Sequence, residues 1–339
     1  MERSLSGSLA RWALAAVAAA AVALTAAAAG AQTVRIAKQY GISYLPLTIM
    51  EANKLLEAHG KRLGLDIATE WVQFTGGTPM NEALISGNLD FASGGVGPLL
   101  TIWSRTRSNL GVKGVAALNA MPLWLNTINP NVKTIKDFTD KDRIALPGVR
   151  TSIQAITLQM AAEKVFGPGQ QNRLDPLTVS MSHPDGLAAM MSGKSEVTGH
   201  FTSAPFMYEE LKDPRVRKVL DSYEVLGGPH TFNVVWTTSK FRQENPKVIR
   251  AFLDALEEAM KQIAADPAAA AALWIKSESS KLAASEAERI IRLPENEWTM
   301  TPKKIMAYAD FMSRTGILAA KPAGWQEVFF EEIRNLPGS

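Results

Sequence analysis

Short apolar runs that break at a turn of Gly, Ser or Thr beside Pro, and then open into a helical pattern, recur along most of this 339-residue chain. Val34–Lys38 reads as a strand, followed by a Tyr/Gly/Pro loop and a helix over Leu47–Ala58. Ile67–Phe74 alternates as a second strand, Thr75-Gly76-Gly77-Thr78-Pro79 breaks the chain, and Met80–Ser86 is helical. Leu89–Ala92 reads as a third strand, turned at Ser93-Gly94-Gly95-Val96-Gly97-Pro98 into a helix from Leu99. Gly114–Ala120 and Trp124–Asn129 are apolar runs parted by Met121-Pro122. Further strands fall at Arg143–Leu146, Leu177–Met181, Val197–His200 and Asn233–Thr238, with a long helix over Ser152–Val165. From Asn245 onward the pattern is helical: Pro246–Ala264, Pro267–Lys276, Ser285–Arg292 and Pro302–Arg314. This alternation predicts an α/β fold with a largely parallel sheet and a helical C-terminal region.

The turns share one design. Thr78 precedes Pro79 as an N-cap, Gly97-Pro98 repeats the arrangement, Thr151 and Ser152 precede the helix at Ile153, and Ser182 or His183 precedes Pro184, with Asp185 placed to complete a capping box with Ser182. Ser203 or Ala204 precedes Pro205 in the same way. Ordinary capping explains any one of these. Taken as a set, they lie at strand C-terminal ends, where open α/β sheets bind ligands in a crevice. Helix N-termini there offer free N–H groups and partial positive charge to an anion's oxygens. Arg150, just before one such start, adds a guanidinium suited to the same partner.

Composition narrows the function. There is no cysteine, which removes disulfides, thiolate nucleophiles, Fe–S clusters and Cys-type zinc sites. Lys+Arg 36 against Asp+Glu 33 leaves only +3, too little to suggest a nucleic-acid-binding face. The N-terminus carries Arg3 and Arg11, an uncharged Ala/Val/Leu run from Trp12 to Ala28, and the small-x-small site Ala29-Gly30-Ala31. That is a cleaved secretory signal peptide over residues 1–31, with Gln32 opening the mature chain; the competing reading is a retained anchor. Cleavage removes Glu2, Arg3 and Arg11 and leaves +2. The expectation is a periplasmic protein.

The inventory of catalytic motifs is negative. The sequence has no P-loop, no G-x-G-x-x-G, no H-E-x-x-H and no G-x-S-x-G. The histidines are His59, His183, His200 and His230. His59 sits at a polar helix end and reads as solvated; the other three lie near strand ends without metal-ligand spacing, so no metal site is assigned. Glu82, Asp90, Asp185 and Glu196 are scattered, with no evident dyad. Tyr40, Tyr44, Trp124, Phe201 and Phe206 fall in or beside the turns and fit pocket walls, whereas Trp71, Trp236 and Met190-Met191 fit a core.

The ordered set Ile36-Ala37 to Tyr44-Leu45-Pro46, Thr75-Gly76-Gly77-Thr78-Pro79, Asn81-Glu82-Ala83-Leu84, Ser86-Gly87-Asn88-Leu89-Asp90-Phe91, Ile144-Ala145 with Ser152-Ile153-Gln154, Ser182-His183-Pro184-Asp185-Gly186 and His200-Phe201-Thr202-Ser203-Ala204-Pro205-Phe206 carries a resemblance. The chain resembles a periplasmic solute-binding protein of an ABC importer, in the nitrate/sulfonate/taurine (NMT1-like, SsuA/TauA-type) family. The resemblance implies a two-lobe periplasmic-binding-protein fold of type II with two hinge crossovers, near Met121–Leu125 and Gly228–Thr231. Lobe 1 would hold residues 32–122 plus 231–339, and lobe 2 residues 123–230. It implies a monomer that closes on a small, anionic organic solute and docks to permease subunits in the inner membrane, without cofactor or catalysis. By position it places Gln39, Tyr40, Tyr44, Thr75, Gly76, Gly77, Gly94, Gly95 and Val96 on one wall of the cleft. Arg150, Thr151, Ser152, Ser182, His183, His200 and Phe201 would form the other. The thiamine-pyrimidine branch of the wider family carries a cysteine-rich motif that is missing here. A binder of such a precursor, or a secreted enzyme using His183 or His200 as base, is the alternative.

Overall fold

The computed structural model describes residues 31–339; the expected signal peptide, all but its last residue, lies outside the described residues. Ten strands follow in chain order: β1 Gln32–Lys38, β2 Ile67–Gln73, β3 Ala92–Gly95, β4 Lys113–Ala117, β5 Trp124–Thr127, β6 Arg143–Leu146, β7 Thr178–Ser180, β8 Val197–Thr202, β9 Arg217–Asp221 and β10 Asn233–Thr237. The first helices are α1 Leu45–Ala52, α2 Leu55–Arg62, α3 Gly77–Ile85, α4 Val96–Thr106, α5 Ile153–Phe166, α6 His183–Ser192, α7 Phe206–Glu210 and α8 Ser222–Leu226. The C-terminal region is helical: α9 Ser239–Glu244, α10 Pro246–Ala265, α11 Pro267–Glu278, α12 Ala284–Ile291, α13 Ile305–Arg314 and α14 Trp325–Val328.

The strands fall into two groups. β1 pairs with β2 in parallel and touches the β3 segment through an Ile36–Phe91 bridge, while β10 lies between β3 and β4. The second sheet has the order β7-β6-β8-β5-β9. The sheets are mixed and not largely parallel. β10 runs antiparallel to both β3 and β4, and β5 antiparallel to both β8 and β9. β5 and β10 follow the two places where the chain passes between sheets. Each therefore arrives from the other half and inserts between two strands against the local direction.

Those two crossovers meet. Ala120 and Thr231 bridge antiparallel, and the Leu123 N–H donates to Ser222 Oγ at 2.8 Å. Ser222 in turn donates to His230 Nε2 at 2.8 Å, and His230 Nδ1 donates to the Thr231 carbonyl at 2.9 Å. Burial pushes the His230 imidazole down to about 4, so this ring is neutral and its two nitrogens have fixed, opposite roles.

Side-chain caps explain several helix starts. Ser152 Oγ accepts from the Ala155 N–H at 3.2 Å, and Ser182 Oγ from the Asp185 N–H at 3.3 Å while donating to Asp185 Oδ2. Thr78 is not a cap: α3 begins two residues earlier than expected, at Gly77 with Gly76 at the N-cap. The expected Leu47–Ala58 helix is two helices, parted at Lys54, whose φ of 51° is left-handed. The third strand is displaced from Leu89–Ala92 to Ala92–Gly95, because Asp90 accepts three bonds from Arg35 (its backbone N–H at 2.8 Å, Nε at 3.1 Å, Nη2 at 2.9 Å) and pairing with β10 begins only beyond it. β9 carries no apolar alternation strong enough to announce itself. His59 is not solvated but bonded to Glu258 at 2.7 Å.

Apolar burial holds the layers together. One continuous core includes Trp236, Phe91, Phe252, Trp274 and Tyr308, and a smaller cluster of Ala145, Met190, Val197 and Val216 packs under the second sheet. Trp71 is only partly buried against the main core. No helix among the described residues is long and apolar enough to cross a membrane.

Candidate functional site

Where the two sheets face each other, the N-terminal ends of α3 and α4 from one side approach those of α5 and α6 from the other. The contact is close. A Cβ on Gly76 would stand 2.6 Å from the Pro147 carbonyl oxygen, and one on Gly95 would stand 2.7 Å from Ile153 Cβ. Only glycine lets the backbones come this near. Thr78 Oγ1 lies 3.2 Å from Thr151 Oγ1, and the Ile42 N–H donates to the Ala204 carbonyl at 3.2 Å.

Between these contacts lies a small cavity. Gln39, Tyr44, Gly77, Gly95, Pro98 and Phe232 line one side, and Pro147, Ser152, Ile153, Gln154 and His183 the other. Its volume is about 20 Å³, room for little more than one water molecule. A site for an organic solute encloses roughly 300 Å³ or more. The cleft is thus drawn shut, and a solute enters only if the walls part.

The chemistry of the lining is that of hydrogen-bond donors. Ala155 N–H is taken by Ser152 Oγ and Ile156 N–H by the Ser152 carbonyl. The Ile153 and Gln154 N–H groups, in the first turn of α5, have no carbonyl a turn back to receive them. Tyr44 accepts from Asn233 Nδ2 at 2.8 Å, and burial holds its phenol firmly protonated. Gln39 Nε2 donates to the Ser93 carbonyl at 3.3 Å, which fixes the amide at the cavity edge. None of the lining residues carries a formal charge: burial first, and then the neighbouring His200, push the His183 imidazole well below its ordinary value.

Six of the residues singled out from the sequence line this cavity: Gln39, Tyr44, Gly77, Gly95, Ser152 and His183. Thr75 and Ser182 line a neighbouring open pocket with Pro147, Ser180 and Asp185. Gly76 and Thr151 serve the contact between the walls, and Gly94 lies against Gln39 Nε2 and the Trp236 ring. Val96 and Phe201 are wholly buried in the core, and Tyr40 is half-buried beside the cavity without lining it. His200 is wholly buried behind His183, with Nε2 3.2 Å from His183 Nδ1. Arg150 is not part of the lining. Its side chain is 70% exposed and its Nε lies 3.4 Å from Asp175 Oδ2, so its charge is spent on that carboxylate. His230 stands at the crossovers, apart from the other two histidines; among the described residues no group of three could hold a metal ion.

Sequence reasoning missed Gln154, Phe232 and Glu210. Gln154 was visible as the second residue after a Ser cap, where a side chain faces whatever the helix end faces. Phe232 follows the second crossover directly. Nothing local marks Glu210, which sits at the end of a five-residue helix and reaches His200 ten residues back.

The architecture is the two-lobe periplasmic-binding-protein fold of type II. Residues 61–270 match the NMT1/THI5-like family, and the chain belongs to it. No curated protein matches the chain in sequence. Among solved structures, the alkanesulfonate-binding protein SsuA from Xanthomonas axonopodis pv. citri, bound to MOPS, superposes with a TM-score of 0.68 at 19% identity, covering 86% of this chain and 96% of that one. SsuA from Escherichia coli, a periplasmic aliphatic sulphonate binding protein, gives 0.63 at 18% identity over 88% of this chain and 98% of its own. The periplasmic nitrate-binding protein NrtA from Synechocystis PCC 6803 gives 0.68 at 15% identity over 86% and 83%. At these identities the likeness speaks for the fold.

Proposed function

We propose that this chain is the solute-binding receptor of an ABC importer. It captures a small, oxygen-rich and anionic solute between a first lobe of residues 32–122 plus 231–339 and a second of residues 123–230, and hands it to permease subunits in the inner membrane. The observation that carries this reading is the cavity itself, walled by first-turn amides and hydroxyls from both lobes, with no side-chain charge and no nucleophile motif. Donors converging from two separable walls bind acceptor oxygens and are released when the walls part. The sulfonate- and nitrate-binding neighbours share this fold and take ligands of that chemistry. The N-terminal signal pattern supports a periplasmic location, and a receptor that presents both lobes to one permease works as a monomer. The proposed contact residues are Gln39, Tyr44, Gly77, Gly95, Ser152, Gln154 and His183. An enzyme using His200 as base is disfavoured, because both nitrogens of that wholly buried ring are engaged by protein groups.

The test is a thermal-shift panel of nitrate, taurine, MOPS, short alkanesulfonates, dicarboxylates and an aminopyrimidine. A solute that binds only the folded protein raises Tm with concentration. A rise with one oxyanion class, weakened in Gln154→Ala, is expected. A rise with the neutral pyrimidine alone, or sustained turnover of any panel member, overturns the reading.

A further inference from the structure

Behind the cavity runs a buried chain of polar groups that ligand contact alone does not account for. Asn126 Nδ2 donates to Glu210 Oε2 at 2.8 Å. Glu210 Oε1 lies 2.5 Å from His200 Nδ1, His200 Nε2 lies 3.2 Å from His183 Nδ1, and His183 Nε2 faces the cavity beside the Gln154 amide at 3.3 Å. Glu210 and His200 are 0% exposed and His183 is 6% exposed. Gly186 on α6 leaves room for the relay: a Cβ there would stand 2.6 Å from His200 Nε2. The chain therefore ends at the cavity wall and is shut off from water everywhere else.

Its hydrogen bonds are linked head to tail, so the proton count at one end fixes the direction at the other. A dry carboxylate with no compensating proton leaves a buried net charge, which is costly. The neutral arrangement places one extra proton on the Glu210–His200 pair. Whichever of the two holds it, His200 Nε2 carries a hydrogen and gives it to His183 Nδ1. Thr202 Oγ1 also lies 3.0 Å from this Nδ1, whose single lone pair is taken by the His200 hydrogen. His183, held neutral, then keeps its only hydrogen on Nε2. The Gln154 amide can turn either end to that atom. The groups facing this chain are few. His183 meets His200, Thr202, Gln154 and the Phe206 ring; His200 meets Glu210 and Gly186; Glu210 meets Asn126. Asp185 on the helix of His183 is engaged with Ser182, and Glu209 beside Glu210 is itself pushed up, by burial first.

We propose that Glu210 and His200 are positioning residues that fix the hydrogen of His183 on Nε2, so that the imidazole faces the cavity as a donor and selects a solute that presents a hydrogen-bond acceptor there. This rests on the receptor reading for its solute but not for its geometry, which the unliganded protein already holds.

The experiment is long-range proton–nitrogen NMR on protein labelled with 15N-histidine, without solute, at neutral pH. It reads which ring nitrogen of His183 bears the hydrogen, with the signals assigned through single His→Gln variants. The expected result is hydrogen on Nε2; hydrogen on Nδ1 overturns the proposal. In Glu210→Leu with His200→Leu, the expected signal is an average of both tautomers, and an unchanged pure Nε2–H form overturns the positioning role. Should that variant fail to fold, Glu210→Gln supplies an amide N–H where the shared proton sat. Its expected result is the wild-type tautomer, and a switch to Nδ1–H overturns the proposal. Because no solute is present, these outcomes are independent of the Tm panel.

Discussion

Gly95 and Ile153 stand so close across the cleft that a Cβ on the glycine would lie 2.7 Å from the Cβ of the isoleucine, and 2.6 Å from its Cγ2. The two residues belong to different sheets' helix ends, so their contact measures closure directly. Gly95→Ala forces the walls apart, while leaving each sheet's own packing in place. The expected outcome is a larger radius of gyration in small-angle scattering, and affinity for the active panel solute reduced by about tenfold or more as the closed form becomes a minority. A variant as compact and as tight-binding as the wild type would show that the contact does not limit closure.

On the proposed receptor reading, an anionic solute meets first-turn helix amides and not the Arg150 guanidinium, which pairs with Asp175. Arg150→Ala removes an exposed pair with Asp175 and changes affinity by less than about twofold, whereas Gln154→Ala, at the cavity wall, weakens binding by about tenfold. Calorimetric titration of both variants checks this, and a large loss in Arg150→Ala would return the arginine to the site.

The crossover histidine makes the fold acid-sensitive. His230 is depressed to about 4 when folded, against an ordinary 6.5, so the unfolded chain binds more protons between those values. Stability contributed by the neutral ring is present above pH 6.5 and lost as pH falls toward 4, on the order of 3 kcal/mol. Denaturant unfolding at pH 7.5 and 4.5 measures it. His230→Phe, which keeps the edge contacts to Tyr223 and Tyr308, is less stable at pH 7.5 but flatter across that range.

Glu278 works in the opposite direction. Burial pushes its carboxyl up to about 7, with Lys38 and bonds from Gln73 and Gly41 resisting. The folded chain holds the extra proton between 4.5 and 7, so this group's contribution to stability declines as pH rises through that window. Glu278→Gln is expected to match the wild type at pH 4.5 and to exceed it in Tm above pH 7.

Arg35 and Asp90 clamp β1 to the segment leading into β3. The carboxylate accepts from both the backbone and the guanidinium of Arg35 and is mostly buried. Asp90→Ala leaves those donors unmet and costs about 2–4 kcal/mol in denaturant unfolding.

Helix starts were legible where a Ser side chain caps them, because a cap acts within four residues, and not at Thr78 or Gly97-Pro98, where the caps are Gly76 and Gly95. Ser152 marks the start of α5 and Ser182, one of two cap residues the sequence offered, that of α6; these two starts supply Ser152, Ile153, Gln154 and His183 to the cavity. Strand direction was illegible. Nothing within Asn233–Thr237 tells that it will lie between Ala92–Gly95 and Lys113–Ala117 and run against both. For the same reason the relay stayed hidden: His200 was visible, but Glu210 becomes its partner only once a short helix folds back over β8. Adjacency to a helix start says nothing of where a long side chain goes: the Arg150 guanidinium pairs with Asp175, outside the cavity lining.

The place of β10 also fixes an order of events. A ribosome releases β3 and β4 more than a hundred residues before the strand that must sit between them. Until Asn233–Thr237 has emerged, the first sheet has a gap through its middle, with two inner edges unpaired. A nascent chain of this protein is therefore committed to remaining incomplete until most of it exists, and the second sheet, whose strands span only residues 124–221, is the portion able to form before the first is whole.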